Sequence, residues 1–151
     1  MQVSDILKTK GDRVLSIEGS SSVSSVADSL ARERVGALII KQGDGELIGI
    51  ISERDIVRGL AEQGASALDL PASQFMSQDL MTCSPESSTE EIMEQMLENR
   101  IRHLPVVQNG TLAGIISIGD VVEAVLSELK WMTQVLQDQV VAAAAWSTDE
   151  D

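Results

Sequence analysis

The stretch GIISERDIV, from Gly49 to Val57, returns sixty-five residues later as GIISIGDVV, from Gly114 to Val122, identical at six of nine positions. A repeat of that length marks a duplicated supersecondary unit rather than a solenoid of short turns. The similarity runs backwards from it. Arg34-Val35 answers Arg100-Ile101, Val26-Ala27 answers Ile92-Met93, and Val14-Leu15-Ser16-Ile17 answers Leu80-Met81-Thr82-Cys83. Ser4-Asp5-Ile6-Leu7 answers Ser73-Gln74-Phe75-Met76 more weakly. The chain therefore divides into a first unit, residues 1–66, a second, 67–127, and an extension over 128–151. Units of about 65 residues are each marginal alone, so the two are expected to share a core and fold together.

In the first unit Val14 to Ile17 is a short apolar strand, and Ser20-Ser21-Ser22 supplies N-cap chemistry after it. Val23, Val26, Ala27, Leu30 and Ala31 recur at helical spacing and form one apolar face. Gly36 is expected to stop that helix. Residues 37–40 and 47–51 then read as a β-hairpin around Gly43-Asp44-Gly45, and a second helix runs from about Glu53 to Gly64. The second unit repeats this β-α-β-β-α order: a strand from Met81 to Ser84, a helix carrying Ile92, Met93, Met96 and Leu97, and a hairpin turning at Asn109-Gly110. Residues 61–80 read as a linker with a short helical turn. The fold class is α/β, an α+β sandwich in each unit.

Past Asp120 the last helix does not stop where its counterpart does. Val122, Val125, Leu129, Met132, Leu136, Gln139 and Ala143 alternate at spacings of three and four, a heptad seam. A helix from Gly119 to Ala145 is roughly 40 Å long, more than the face of one such module. The seam, widened by Trp131 and Leu126, predicts self-association into a homodimer or larger homo-oligomer; the plain alternatives are a helix folded back on its own domain or one that frays in the alanines. The last five residues, 147–151, are expected to be disordered.

Composition narrows the function classes. A net charge of −13, with two Trp, one Phe and no Tyr, disfavours nucleic acid and anionic membrane. The amino terminus lacks signal-peptide regions, and no apolar run approaches the ~20 residues of a bilayer span, which predicts a cytoplasmic protein. The single cysteine, Cys83, allows no internal disulfide and no cysteine-based zinc site. The lone histidine, His103, has no nucleophile beside it, and no phosphate loop is present, so no enzyme is expected.

Ser52 and Asp55, like Ser117 and Asp120, stand three apart where a strand ends and a helix begins. The plain reading is a capping box. The functional alternative uses the same geometry: helix N-terminal N–H groups and a hydroxyl suit a phosphate, while an acceptor-only carboxylate suits the vicinal hydroxyls of a ribose.

The whole arrangement resembles the CBS domain, named after the regulatory region of cystathionine β-synthase, which occurs as tandem pairs. NRIRHLPVVQNGTLAGIISIGD, Asn99 to Asp120, matches its signature closely, and RVGALIIKQGDGELIGIISERD, Arg34 to Asp55, more loosely. The resemblance covers residues 3–127 and is greatest to stand-alone pairs of the signal-transduction type. It implies two β-α-β-β-α units packed sheet to sheet with pseudo-twofold symmetry, with an extended C-terminal helix here, and clefts between them for adenosine ligands. Carried over residue by residue, Asp55 and Asp120 bind ribose and Ser52 and Ser117 contact phosphate. Backbone at Ser16, Ile17 and Ala37 in one half, and at Thr82, Cys83 and Pro105 in the other, frames adenine. Arg102 and His103 stand where some members reach phosphate.

The halves differ: Gly36-Ala37 replaces Arg102-His103 in the first, and Arg54 stands where the second has Gly119. Two clefts of unequal affinity or ligand are expected, because one displaced charge-assisted hydrogen bond is worth roughly 1.5–3 kcal/mol. The implied function is a non-catalytic sensor with no required cofactor, taking AMP, ADP, ATP or NAD(H) as regulatory ligand and signalling to an unknown partner. Arg54 and the helix N-termini favour phosphate over the sulfonium of S-adenosylmethionine. The competing class is a constitutive dimerisation or scaffold module with empty clefts.

Overall fold

The structure, a computed structural model, describes residues 1–11 and 13–148. Helix α1 (Val3–Lys10) opens the chain, followed by β1 (Ser16–Glu18), α2 (Val23–Glu33), the hairpin β2 (Ala37–Gln42) and β3 (Glu46–Ser52), and α3 (Glu53–Gln63). Two 3₁₀ turns, Gly64–Asp69 and Ala72–Gln74, make the linker. The second unit contains α4 (Thr89–Asn99), the hairpin β4 (His103–Gln108) and β5 (Thr111–Ser117), and α5 (Ile118–Thr148).

Strand β2 pairs parallel with β1 and antiparallel with β3. In the second unit β4 and β5 pair antiparallel, but the expected strand from Met81 to Ser84 shrinks to a parallel bridge between Cys83 and Val106. The cause is two missing donors, one at each end of the ladder: at one end Pro85 stands at the place of Gly19, whose N–H donates to the Lys41 carbonyl at 3.2 Å in the first unit. At the other end, the Ile39 N–H of the first unit donates to the Leu15 carbonyl at 3.1 Å and extends the ladder. Pro105 stands at the place of Ile39, has no N–H, and cannot reach the corresponding Met81 carbonyl. The expected first strand also sits later, at Ser16–Glu18.

Helices α2 and α4 start on serine caps: Ser22 Oγ accepts from the Ser25 N–H and Ser88 Oγ from the Glu91 N–H, each at 3.1 Å. Their ends correct the expectation placed on Gly36. Arg34 and Arg100 terminate them in the left-handed conformation, at φ 55° and 54°. Gly36 is needed for space, since a Cβ there would lie 3.1 Å from His103 Nε2, where the two units meet.

A single shared core is not what forms. One cluster holds Val23, Val26, Leu30, Leu38, Ile40, Ile51 and Ile56; the other holds Cys83, Ile92, Met96, Leu104, Val106, Ile116 and Val121. The units are joined by exchange of their leading segments. Ala72 and Phe75, which lead into the second unit, are buried in the first cluster, while Val3 and Ile6 of α1 are buried in the second. The weak match of residues 4–7 to 73–76 marks these segments. Leu7 covers Gly114 as Met76 covers Gly49, so each repeated motif glycine is a crossing point.

Helix α5 is longer than expected and runs unbroken through the alanines to Thr148, so Ser147 and Thr148 are helical rather than disordered. The disorder expected of residues 149–151 lies outside the described residues. No described helix is long and apolar enough to cross a membrane.

Candidate functional site

Each repeated motif places its acid where an antiparallel strand turns into a helix. At the end of β3 the Ser52 N–H donates to Asp55 Oδ2 at 2.8 Å, the Ser52 hydroxyl donates to the same oxygen at 3.1 Å, and Arg58 donates to Oδ1 at 2.7 Å. Asp55 is buried. At the end of β5 the Ser117 N–H donates to Asp120 Oδ2 at 2.8 Å and the Asp120 N–H returns a bond to Ser117 Oγ at 3.1 Å. The capping chemistry is therefore real, and its serines and acids face clefts.

The first cleft, about 470 Å³, is lined by Ser52, Arg54, Asp55 and Arg58 of the first unit and by Leu80, Met81, Arg100, Arg102, His103 and Pro105 of the second. The second, about 310 Å³, pairs Ile115, Ser117 and Asp120 with Lys10, Arg13, Leu15, Arg34 and Ala37. Each acid thus faces the middle strand of the other unit: Pro105 lies in the cleft of Asp55, and Ala37 in that of Asp120. The two differences between the halves consequently add instead of trading off, since Arg54, Arg102 and His103 all line the first cleft.

Of the residues singled out from the sequence, Ser52, Arg54, Asp55, Arg102, His103 and Pro105 come together in the first cleft, and Ala37, Ser117 and Asp120 in the second, with His103 in the wall of both. Ser16, Ile17, Thr82 and Cys83 are in neither lining; Leu15 and Met81, one position earlier than Ser16 and Thr82, take that place. Cys83 is buried in the second core, and burial pushes its thiol up to about 11. Sequence reasoning missed Arg34 and Arg100, although they are a repeated pair, because a helix-ending cation has no local mark of facing a cleft. Arg58 was missed too, although a cation one turn after Asp55 is a local signal. Lys10 carries no such signal, since nothing near it in sequence points to Asp120.

Burial alone would raise Asp120, but hydrogen bonds from Lys10 and from the Ser117 backbone outweigh it and hold the carboxyl below its ordinary value. Burial, with Lys10 nearby, lowers His103. Of the eleven Lys and Arg residues in this acidic chain, seven line the two clefts: Arg54, Arg58, Arg100 and Arg102 in one, Lys10, Arg13 and Arg34 in the other.

Two repeated units, the second with its first strand reduced to a bridge, complete each other's clefts with paired acids and cations and define a tandem ligand-binding module. The family model for the CBS domain matches residues 3–62 and again 72–127, and the chain belongs to that family. It is 37% identical over 137 residues to the mitochondrial CBS domain-containing protein CBSX3 of Arabidopsis thaliana, a match covering 83% of this chain and 65% of that protein. A CBS-domain protein of Agrobacterium tumefaciens, 41% identical, superimposes with a TM-score of 0.80 over 82% of this chain and 92% of the other. The CBS domain pair of a protein solved in complex with 5′-methylthioadenosine and S-adenosyl-L-methionine shares the fold at 22% identity, with a TM-score of 0.75 over 85% of this chain and 98% of the other.

Proposed function

We propose that the protein is a non-catalytic regulatory module that binds adenine nucleotides, AMP, ADP, ATP or NAD(H), in its clefts and signals their occupancy to a partner protein. The observation that carries this reading is the concentration of cations: a chain of net charge −13 keeps seven of its eleven Lys and Arg at two clefts that each also present a carboxylate. Cations suit phosphate and the acceptor-only acids suit a ribose diol. The adenosine-type ligands of the structural relative support the same ligand class. Four arginines around the first cleft favour phosphate over a sulfonium. A ligand that contacts both units favours one angle between them, and that differential affinity is the signal. We read the assembly as a homo-oligomer through α5 and the compartment as the cytoplasm.

The scaffold reading has one specific observation in its favour: both acids already hold protein partners, Arg58 and Lys10, so their charges are met without a ligand. Thermal unfolding of protein shown to be free of nucleotide, against AMP, ADP, ATP, NAD, NADH and S-adenosylmethionine, separates the two. A ligand at a hundred times its dissociation constant raises Tm by roughly 5–10 °C. The sensor reading expects a selective rise that disappears in Asp55→Ala or Asp120→Ala; no rise with any of the six, from folded protein, leaves the scaffold.

A further inference from the structure

The two clefts are built from equivalent positions, yet the ion pair at the acid is wired differently in each. In the first, the cation comes from the acid's own helix, as Arg58 three residues after Asp55. The second unit has Glu123 at that place, and the cation that reaches Asp120 is Lys10 of α1, 110 residues away. The position equivalent to Lys10 in the first cleft is Asp79. Leu7 over Gly114 and Met76 over Gly49 fix the alignment of the two leading segments, and three residues further on stand Lys10 and Asp79. Acid and cation have exchanged places between the leading segment and the helix.

Lys10 Nζ lies 2.6 Å from Asp120 Oδ2 and 2.9 Å from the Ile115 carbonyl oxygen. In the first cleft the equivalent Ile50 carbonyl accepts from the Ser77 backbone N–H at 2.9 Å. Helix α1 runs through to Lys10, its backbone donors are turned along the helix, and the lysine side chain fills that role instead. The same ammonium thereby covers the acid.

We propose that Lys10 is a latch on the second cleft: it lies on Asp120 Oδ2, one of the two carboxylate oxygens a ribose diol would use, so a nucleoside that takes both oxygens enters only by displacing it. The inference rests on the nucleotide reading above. Lys10 ends the helix whose Val3 and Ile6 are buried in the second core, so the latch is anchored in the unit whose cleft it covers.

Isothermal titration of AMP and of adenosine into the full chain tests it, with thermal unfolding to show that each variant is folded. Lys10→Gln is expected to tighten the site that contains Asp120 about fivefold for both ligands, the factor of one partly exposed ion pair. That gain is lost when Asp120→Asn is added, and Lys10→Arg keeps the wild-type affinity. Lys10→Met, which retains an apolar stem of similar length, carries the same expectation as Lys10→Gln if the latter does not fold. Unchanged or weaker binding in Lys10→Gln overturns the latch and makes the lysine a structural or phosphate-holding group. Absence of binding to any of these proteins takes both down together.

Discussion

His103 stands in the wall common to both clefts, against Gly36, and burial together with the Lys10 ammonium and the Arg102 guanidinium favours its neutral form over the pull of Asp120 and Glu53. Its folded value is below the ordinary 6.5, so the unfolded chain binds more protons there and acid favours unfolding. The stability this group contributes is complete above 6.5 and is lost as pH falls below that through the lower folded value. His103 is the only histidine, so Tm measured from pH 8 to 5.5 is expected to fall in the wild type and to stay flatter in His103→Asn; equal slopes would remove His103 as the cause. The motif glycines carry a different constraint. A Cβ at Gly49 would lie 2.5 Å from Met76 Sδ and 3.0 Å from the Ser77 carbonyl oxygen, whereas at Gly114 the near atom, at 2.8 Å, is the end of Leu7. Backbone cannot yield as a side-chain tip does. Gly49→Ala is therefore expected to cost about 1–3 kcal/mol in urea unfolding, and Gly114→Ala less.

Helix α5 is the element that exceeds its module. Its 31 residues extend roughly 46 Å. Near the start, Val121 is buried and Ala124 and Val125 are partly covered, and these residues pack it onto the second unit. Leu129, Leu136 and Val140 are 53%, 62% and 69% exposed, and they continue a stripe that begins at Val122 and Leu126. Trp131 does not widen that stripe: nine residues beyond Val122, at 100° per residue, it stands on the opposite side of the helix. An apolar stripe of this length with three-and-four spacing suits a second copy of the same helix. Light scattering after size exclusion is expected to give a multiple of the 16.2 kDa chain mass for the wild type and a lower mass for Leu129→Glu combined with Leu136→Glu. A monomeric wild type would end the self-association reading.

At the scale of the whole molecule, the repeat made the element order and the paired Ser/Asp turns legible, because strand and helix periodicity are local properties and the second copy checks the first. It could not show which copy each piece packs on. A duplication says that Leu7 and Met76 are equivalent, but the same equivalence holds whether each lies on its own unit or on the other. The crossing of the leading segments, the joining of Arg54 with Arg102 in one cleft, and the reach of Lys10 to Asp120 all belong to that undetermined choice. The Pro105 effect was readable in principle, since a proline that interrupts a parallel ladder is visible in the sequence once the register is known. The crossing also sets an order of events in time. Val3 and Ile6 are synthesised before every residue they pack against, and Val121, a member of the same cluster, follows Val3 by more than a hundred residues. Contacts closing so large a loop form late. The second unit therefore cannot be completed until Val121 has been made, and α1, made before it, waits until then for the surface on which it packs.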